Sequence, residues 1–488
     1  MDTFLKNYWS LYNDFLVKFE SISYDGYSLA YLCHFPSFIT EGSKLWNKLY
    51  EEAFLNDMDH VIYHPFEIQQ KFNQYIASHM RKVRRQKGKI VIHQDKLMRI
   101  PQHILLHYFD MKNIIVLVAN DKRVKRKKKV SVSQNPVIDG SKARQKYEVH
   151  YQITRVALNR YASSNTKDKV SIKKNAINLL NRYRHHIVFG SDEFRSWFLS
   201  RIETVIDRIE MSKRFFQEQK VSCLLVSTTH SYISRILTSV AAEHGIPSIC
   251  LQHGIMSSEL GYIPKIATID AVYGSFERDW YQTLGVSETG LKIIGHPRFD
   301  QAFQKPKFTR QQFERKLALF PNKKKILIVV RGKKHLDRWR SFIKKLSKQL
   351  NVHILVKNYP GNKEHPLEKE FSCVFSTKGM SHYDIFPHVD VVITYSSTVA
   401  LEAMLAKKHV FILKDDFEGY TNYFSLLENV VQSNPELLAP LIVKYFNDKT
   451  FQEEMERKRK QFLQYVYPNQ TLSSKRLKHL IVELTKTV

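Results

Sequence analysis

Short apolar runs that end in polar residues alternate with segments of helical spacing after Val221. The runs have the length of buried strands, and the helical segments between them end at Gly245 and Gly285. The strand-like runs are "VSCLLVSTTH", "IPSICLQHG", "DAVYGS" and "LKIIGHPRFD". Because the connections are short, this alternation predicts a parallel sheet with crossover helices.

The same pattern restarts after a charged segment that contains proline, "QKPKFTRQQFERKLALFPNKK". The strand-like runs that follow are "KILIVVRG", "NVHILVKNYP", "HVDVVITYSS" and "KHVFIL". We therefore predict an α/β fold with two Rossmann-like domains that face a cleft near residue 305. The predicted domains are 1–305 and 306–460, and a basic helical segment, 461–488, follows them.

The first 210 residues contain fewer periodic segments. "GKIVIHQD" and "KNIIVLVAND" have the pattern of buried strands, and residues 194–220 have helical spacing. Residues 122–168 lack clear periodicity and are rich in Lys, Ser and Asn. We predict that this range is an exposed, basic insertion in the first domain.

The size and composition of the chain narrow the class of protein. At 488 residues the chain is too long for one ordinary core, which agrees with two domains. Its four cysteines lie far apart, without metal-binding spacing, and are expected to be reduced. We see no signal peptide and no apolar stretch of roughly 18 residues that would span a membrane. These features predict a cytoplasmic protein that is soluble or peripheral on the inner face of the membrane.

The formal net charge of +29 predicts an anionic partner. Acidic lipid, nucleic acid and phosphorylated substrates all fit such a charge, and a basic surface without a single target is the alternative. Part of the charge is clustered at Arg81–Lys89 and Lys122–Lys129. A nucleic-acid-binding surface would interleave aromatic residues with the cations, and the second cluster contains none. We therefore favour an acidic membrane surface and predict no nucleic-acid partner.

Three hydroxyl residues, Ser396, Ser397 and Thr398, stand where the run "VVITYSS" passes into a helix. Ser397 or Ser396 is expected to cap this helix. The remaining hydroxyls and the exposed amides would form an anion site suited to a nucleotide diphosphate. Glu402 follows about one turn later, where its carboxylate could accept hydrogen bonds from ribose hydroxyls. The alternative is an ordinary capped helix whose glutamate complements the helix dipole.

Other strand ends carry basic residues. In open parallel sheets, ligands bind outside the carboxyl ends of the strands. Arg331, Gly332 and Lys357 stand at such ends in the second domain, where cations would stabilise the charge of a leaving group. In the first domain, His253 follows a strand and precedes a glycine in "LQHGI". Its imidazole is a candidate general base, and a structural histidine in a turn is the alternative.

Five motifs carry a family resemblance. They are "LQHGI", "IIGHPRFD", "VVRG", "HILVKNYP" and "ITYSSTVALEAMLAKKHVFIL", in this order. Together they resemble the GT-B-fold transferases of bacterial surface polysaccharide synthesis. That group includes the CDP-glycerol glycerophosphotransferases of teichoic-acid synthesis and proteins of capsule and spore-coat polysaccharide synthesis. The resemblance covers about residues 221–413.

The resemblance implies a GT-B-like fold with acceptor chemistry on the first domain and the donor nucleotide on the second. It implies that His253, which matches the histidine of the family's "HG" motif, is the catalytic base. His296 and Arg298 match a segment between the domains and are expected to help bind the donor. The residues that match the family's "SS" motif would contact donor phosphates, with Glu402 near the ribose: Ser396, Ser397 and Thr398.

Two departures from the family pattern bear on the donor. The second-domain strand often ends in "HP" in these enzymes, but this chain has "VKNYP", with Tyr359 before the proline. The "TPLK" that often follows "HG" in glycerophosphotransferases is replaced by "IMSSELGY". The first difference argues against donor recognition by a histidine at that strand end, where Lys357 could still supply a positive charge. The second weakens the case for a glycerol-phosphate donor and favours a nucleotide sugar or an unidentified variant.

The leading hypothesis is a transferase that moves a sugar or glycerol phosphate from a nucleotide-activated donor to a surface polysaccharide. The acceptor would be a polysaccharide or a lipid-linked chain of capsule, teichoic acid or spore coat. The sequence predicts no metal site and no cofactor beyond the donor itself. A nucleotide-sugar epimerase or lyase of the same fold would need acidic groups in the cleft, and a basic nucleic-acid-binding protein is the third hypothesis.

Overall fold

The computed structural model of the protein describes residues 1–119, 153–162, 166–359, 364–414, 417–468 and 472–486. Within these residues, two parallel sheets of seven and six strands lie among helices. Most strand residues are buried, as expected for parallel sheets that are covered on both faces. The predicted α/β class, with two Rossmann-like domains in a GT-B-like arrangement, is confirmed.

The first sheet is built from apolar runs between Lys89 and Ile293. A short antiparallel hairpin, β1 (Ser23–Tyr24) and β2 (Tyr27–Ser28), precedes it. Its strands are β3 (Lys89–His93), β4 (Ile114–Val118), β5 (Thr154–Ala157), β6 (Val221–Val226), β7 (Ser248–Leu251), β8 (Ile269–Val272) and β9 (Leu291–Ile293). Their spatial order is β5-β4-β3-β6-β7-β8-β9, and all neighbours are parallel. The sheet therefore reverses direction between β3 and β6, which leaves a crevice at their carboxyl ends.

The helices of this region pack on both faces of the first sheet. They are α1 (Thr3–Phe19), α2 (Leu29–Leu32), α3 (Phe35–Glu41), α4 (Ser43–Lys48), α5 (Phe66–His79), α6 (Gln102–Tyr108), α7 (Thr166–Arg182), α8 (Asp192–Glu218), α9 (Tyr232–Glu243) and α10 (Ser275–Thr283). Helix α1 is buried on nearly all sides among aromatic residues of the following helices, including Phe35, Phe189 and Phe194. This aromatic layer joins the first 80 residues to the helices behind the sheet.

The second sheet is built from the apolar runs after Lys324. Its strands are β10 (Lys324–Arg331), β11 (Val352–Tyr359), β12 (Val374–Ser376), β13 (Val391–Tyr395), β14 (His409–Leu413) and β15 (Val431–Gln432). They follow the order β12-β11-β10-β13-β14-β15, with parallel pairs throughout. The helices are α11 (Arg310–Lys316), α12 (Leu336–Gln349), α13 (Pro366–Glu370), α14 (His382–Ile385), α15 (Thr398–Leu405), α16 (Pro435–Asn447), α17 (Lys449–Val466) and α18 (Ser473–Leu484). The crevice of this sheet lies between the ends of β10 and β13.

Short 3-10 turns complete the chain. They span Glu52–Asp57, Met111–Asn113, Leu158–Tyr161, Glu288–Gly290, Pro297–Phe303, Phe386–His388 and Ser425–Val430. The turn Pro297–Phe303 lies between the last strand of the first sheet and α11, so the predicted boundary at residue 305 directly follows it. The predicted boundary at residue 460 falls inside α17. The domain limits remain predictions.

The predicted insertion at 122–168 is corrected at its end. Residues 122–152 lie outside the described residues, as does the basic cluster Lys122–Lys129. Beyond them, β5 forms the outer strand of the first sheet, paired with β4, and is therefore not an exposed loop. Thr154 and Arg155 are exposed and only Ala157 is buried, so this edge strand has no apolar run that the sequence pattern could have marked.

The C-terminal helices return to the first domain. Tyr467 lies just after α17. Its hydroxyl shares a hydrogen bond of 2.6 Å with Oγ of Ser473, the first residue of α18. Asp300 accepts hydrogen bonds from the main-chain amides of Ser473 and Ser474, at 2.7 and 3.0 Å. The apolar side of α18 packs against the face of the first sheet that α6 also covers. These contacts show that the C-terminal segment docks on the first domain, a position that the sequence pattern did not predict.

Candidate active site

The carboxyl edges of the two sheets carry most of the predicted site residues. Ile328 of β10 is in register with Ile393 of β13, so Arg331 and Ser396, three residues further on, end at the same level. Gly332 follows Arg331 with a φ of +52°, a value that glycine tolerates, and its amide donates to the Tyr359 carbonyl at 3.0 Å. Arg331 is exposed. These residues lie where a parallel sheet of this order binds ligands.

Lys357 lies inside β11, two residues before the strand ends. It is in register with Val329, and its side chain is mostly buried. Its amine donates a hydrogen bond to the Met380 carbonyl at 2.5 Å, and burial lowers its pKa. The structure therefore gives Lys357 a main-chain partner beside the crevice.

The predicted cap of α15 is wrong. Ser397 occupies the residue before the helix, but its side chain accepts no bond from the described first turn. Its hydroxyl instead shares a hydrogen bond of 3.2 Å with Thr394 Oγ1. This competing contact within the strand-to-helix turn leaves the first amides of α15 without a side-chain cap. Ser396 is half-buried beside it, and Thr398 begins the helix.

Glu402 is the centre of a buried charged cluster. One carboxylate oxygen lies 3.1 Å from Arg298 Nη2, and the other contacts His382 Nε2. The second ring nitrogen of His382 bonds to the Tyr359 hydroxyl at 2.7 Å. Burial alone would raise the pKa of the Glu402 carboxyl, but His382, Arg298 and a hydrogen bond from Tyr383 outweigh it and lower this pKa to about 2. Glu402 is therefore ionised at neutral pH.

Arg298 reaches this cluster from the first domain. Its side chain is 9% exposed, and the contact with Glu402 is an ion pair without hydrogen-bond geometry. Its Nε and Nη2 atoms are buried and donate to no acceptor among the described residues. Buried donors without acceptors are uncommon in folded proteins. Arg298 thus has two nitrogen atoms beside α15, Nε and Nη2, that form no hydrogen bond with the described residues.

His296 holds the turn that carries Arg298. Its Nδ1 accepts from the Arg298 amide at 3.1 Å, and its own amide donates to the Tyr467 hydroxyl at 3.2 Å. Burial, with the charge of Arg298, keeps the pKa of His296 well below its ordinary value. His296 is therefore neutral and has a local structural contact on Nδ1.

His253 follows β7 and lies beside the crevice of the first sheet. Its Nδ1 contacts the Ser227 carbonyl at 3.2 Å, and because a carbonyl oxygen only accepts, Nδ1 carries the proton. The ring stacks on Tyr262, with centroids 5.0 Å apart and a 4° angle between the planes. Burial lowers the pKa of His253 to about 4. Its Nε2 is therefore an unprotonated base at neutral pH.

The loop that follows His253 contacts the start of α15 in the other domain. The Ile255 amide donates to Thr398 Oγ1 at 3.3 Å. Further along the loop, Ser258 Oγ donates to the Glu418 carbonyl at 2.7 Å, and the Thr421 amide donates to the Ser257 carbonyl at 3.1 Å. The structure thus brings the predicted base and the predicted anion site, about 145 residues apart in sequence, to one cleft.

Glu277, which the sequence patterns did not single out, helps to hold the His253 loop. Gln252 Nε2 donates to Glu277 Oε1 at 2.9 Å and to the Gly254 carbonyl at 2.7 Å. The second Glu277 oxygen accepts from the Gly274 amide at 3.0 Å. Burial raises the pKa of Glu277 to about 7. A glutamate three residues after a strand-end glycine is a capping-box pattern, which would have marked this residue.

His382 was also missed, and no sequence pattern marked it. It begins α14, whose neighbour Ser381 caps the helix. Its contacts with Glu402 and Tyr359 come from three separate elements of the second domain. Only the folded chain makes this cluster visible.

The described residues contain no group of three or more His, Cys, Asp or Glu side chains that could hold a metal ion. Among the described helices, none is long and apolar enough to cross a membrane. The four cysteines are free thiols, and three of them are buried.

Two parallel sheets with crevices at their carboxyl edges, facing each other across a base and a helix end, define an α/β protein of the GT-B-like class. Residues 275–483 match the model of the family described as CDP-Glycerol:Poly(glycerophosphate) glycerophosphotransferase. The match covers less than half of the chain, including all of the second sheet. Over that range it confirms the resemblance found in the sequence.

Two known structures that are similar to this chain can be named. A UDP-GlcNAc 2-epimerase from Neisseria meningitidis is 12% identical, with a TM-score of 0.49, over 81% of this chain and 99% of that chain. The wall teichoic acid polymerase TagF is 14% identical, with a TM-score of 0.45, over 81% and 88%. Curated protein sequences gave no match. At this identity and TM-score, the two structures are no guide to the substrate.

Proposed function

We propose that this protein transfers glycerol phosphate or a sugar from a nucleotide-activated donor to a bacterial surface polysaccharide. The observation that carries the proposal is the contact between the two halves of the cleft. The Ile255 amide, two residues after the neutral imidazole of His253, bonds to Thr398 at the start of α15. A proton acceptor and a positive helix end are the two parts that such a transfer needs.

In the proposed reaction, His253 Nε2 takes the proton of the acceptor hydroxyl. The hydroxyl oxygen forms a bond to the transferred group, at phosphorus for glycerol phosphate or at the anomeric carbon for a sugar. The bond from that atom to the nucleotide oxygen breaks, and the electron pair leaves with the nucleotide. The amides of α15, Arg298 and Arg331 would stabilise the negative charge of the leaving group.

Arg298 and Glu402 would hold the donor from opposite sides of the domain boundary. The Nε and Nη2 atoms of Arg298, which form no hydrogen bond with the described residues, suit phosphate oxygens. The Glu402 carboxylate stays ionised, so it only accepts hydrogen bonds, and each oxygen has lone pairs beyond its present contacts. Ribose hydroxyls are donors that would fit these lone pairs.

CDP-glycerol is the first candidate donor because the matched family is described by it. The acceptor would then be a growing poly(glycerol phosphate) or a related lipid-linked polymer. The departures at "VKNYP" and "IMSSELGY" keep a nucleotide sugar as the alternative donor. No cofactor is needed for either transfer.

An acidic membrane surface is the proposed location of the enzyme. In the cluster Arg81–Lys89, the backbone is held to the first domain by bonds from the Arg81 and Arg84 amides to the carbonyls of Ala242 and Gly245. Five side chains of the cluster are exposed cations: Arg81, Lys82, Arg84, Arg85 and Lys87. Such a fixed basic strip would bind anionic lipid, with a strength that falls with salt.

The test is a thermal-shift screen of the purified protein with CDP-glycerol and with UDP-, CMP- and dTDP-linked sugars. A ligand that binds only the native state raises Tm, so the true donor should raise it in a concentration-dependent way. Transfer to an acceptor is then measured with that donor. If no nucleotide-linked donor raises Tm or is consumed, the proposed transferase function is wrong.

A further inference from the structure

The loop between β3 and α6 is fixed at the crevice of the first sheet. Asp95 Oδ1 accepts from the amides of Leu97 and Met98 at 2.8 and 2.7 Å, and Oδ2 accepts from Ser227 Oγ at 2.6 Å. The Met98 side chain is 5% exposed and packs into the core beneath the sheet. These contacts hold the backbone immediately before Arg99.

Arg99 itself is exposed and makes no hydrogen bond or ion pair with any residue that the structure describes. An exposed arginine on an outer surface would need no explanation. This one stands at the point where the strand order of the first sheet reverses, the place where such sheets bind ligands. Its backbone is rigid and its charge is unpaired.

The charge of Arg99 affects the pKa of groups on both sides of the cleft. In addition to burial, which is the larger cause, Arg99 lowers the pKa of His253 and of His296 in the first domain. In the second domain, burial and Glu402 raise the pKa of Tyr359, and Arg99 opposes this rise. Since Coulomb effects weaken with distance and with screening by water, this agrees with the position of the Arg99 backbone, which Asp95 and Ser227 hold at the crevice of the first sheet.

We propose that Arg99 binds a phosphate group in the cleft between the two domains. The planar guanidinium presents paired N–H donors that match two phosphate oxygens. The phosphate comes either from the donor diphosphate or from the end of a phosphorylated acceptor, and both present the same chemistry. The identity of this ligand rests on the proposed function, but the anion site does not.

Phosphate binding at Arg99 has a consequence for His253. Burial lowers the pKa of His253 most; among the neighbouring charges, Lys265 and Arg99 also lower it and Asp95 raises it. A phosphate bound at Arg99 would offset one of the two cations. His253 would then accept a proton more readily when substrate is present. Arg99 would therefore couple the arrival of a phosphate to the strength of the base.

The experiment compares Arg99→Gln with Lys96→Gln. Lys96 is a second exposed cation of the same loop and has no hydrogen bond or ion pair with the described residues, so it controls for net charge. Binding of CDP and of inorganic pyrophosphate is measured by calorimetry with the full-length protein. The acceptor KM is measured in transfer assays with the donor that the thermal-shift screen identifies.

If the donor supplies the phosphate, Arg99→Gln should weaken CDP and pyrophosphate binding by about tenfold, while Lys96→Gln leaves both unchanged. If the acceptor supplies it, CDP binding stays the same and the acceptor KM rises by about tenfold. Arg99→Lys should retain part of the affinity, because it keeps the charge and loses the paired donors.

The proposal is overturned if Arg99→Gln equals Lys96→Gln in CDP affinity, pyrophosphate affinity and acceptor KM. It is also overturned if the wild-type protein binds neither anion and shows no dependence on a phosphorylated acceptor. A wild-type protein that transfers nothing, but whose pyrophosphate binding requires Arg99, would contradict the proposed function and support the anion site.

Discussion

The carboxyl edges of the two sheets differ in the state of their titratable groups. At the first edge, His253 is neutral and fixed by a main-chain carbonyl, and Glu277 is buried against the Gln252 amide. At the second edge, Glu402 is ionised and surrounded by Arg298 and His382. Burial dominates at the first edge, and charge pairing prevails over burial at the second.

The difference separates two chemical tasks. A neutral imidazole with a free nitrogen can accept a proton, because it does not have to lose one first. An ionised carboxylate and an arginine with unpaired N–H groups can bind a ribose and a phosphate. These states fit the proposed division of tasks, in which the first edge activates the acceptor and the second binds the donor.

Removing the charge at the second edge should have the largest effect. Glu402→Gln leaves Arg298 buried without its anion, and we expect it to lower the free energy of unfolding by about 3 to 5 kcal/mol. Chemical denaturation monitored by fluorescence measures this change. Glu370→Gln, which breaks an exposed ion pair with Arg340, is the control and should change the stability little. If both variants have the same free energy of unfolding, the buried cluster does not contribute to the stability of the fold.

The two edges should also respond to pH in opposite directions. The raised pKa of Glu277, about 7 in the folded protein, means that its stabilising contribution is complete below about pH 4.5. This contribution is lost as the pH rises through 7, by a total on the order of 3 kcal/mol. Glu402, with its lowered pKa, contributes stability above about pH 4.5 and loses it as the pH falls toward 2.

Denaturation of wild-type protein and Glu277→Gln between pH 5 and about 8 tests the first half of this contrast. The stability difference between the two proteins should shift in favour of the variant as the pH rises. Other titrating groups are common to both proteins and cancel in the difference. A difference that is the same at every pH would show that Glu277 does not titrate in this range.

Loss of the base should act on the rate and not on donor binding. His253→Ala should slow single-turnover transfer by about a hundredfold, the usual contribution of a general base. The donor affinity should hardly change, since His253 is not among the proposed phosphate contacts. His107→Ala, at an exposed position on α6, is the control. Near-normal transfer by a folded His253→Ala protein would leave His253 a structural residue of a turn.

The smallest effect is expected at the start of α15. Ser397→Ala should weaken donor binding by several-fold to about tenfold, with little change in the rate of the saturated enzyme. Donor titration and single-turnover kinetics on the same variant separate these effects. Thr394→Val removes the present partner of Ser397 and keeps its hydroxyl, so it should bind the donor at least as well. If Ser397→Ala slows the saturated reaction more than it weakens binding, the division between the two edges is wrong.

The strands of both sheets were predictable where they are apolar runs. The strand Lys89–His93 contains three consecutive buried aliphatic residues between polar ends, and Lys324–Arg331 contains five. β5 and β15 were not predicted, because they are short edge strands with exposed or half-exposed residues. Helix α1 was not predicted either, and it is buried on nearly all sides, including its polar residues Asn7, Ser10 and Asp14.

The candidate site was predictable as positions but not as contacts. Strand ends located Arg331, Ser396–Thr398 and His253 at sheet edges, because parallel strands end on one side of a sheet. The sequence did not reveal that Ser397 bonds to Thr394 and leaves α15 uncapped. Local propensity favours a capping serine, and a competing hydroxyl three residues away prevailed here.

The sequence by itself determined the α/β class, the two sheets, the family resemblance and the edge of each sheet where chemistry is expected. These follow from local apolar patterns and short connections, which a linear chain displays directly. Only the tertiary structure decided that Arg298 meets Glu402 and His382, that α18 returns to the first sheet, and that Arg99 stands unpaired in the cleft. Such contacts depend on how separate elements pack, and no spacing along the chain records them.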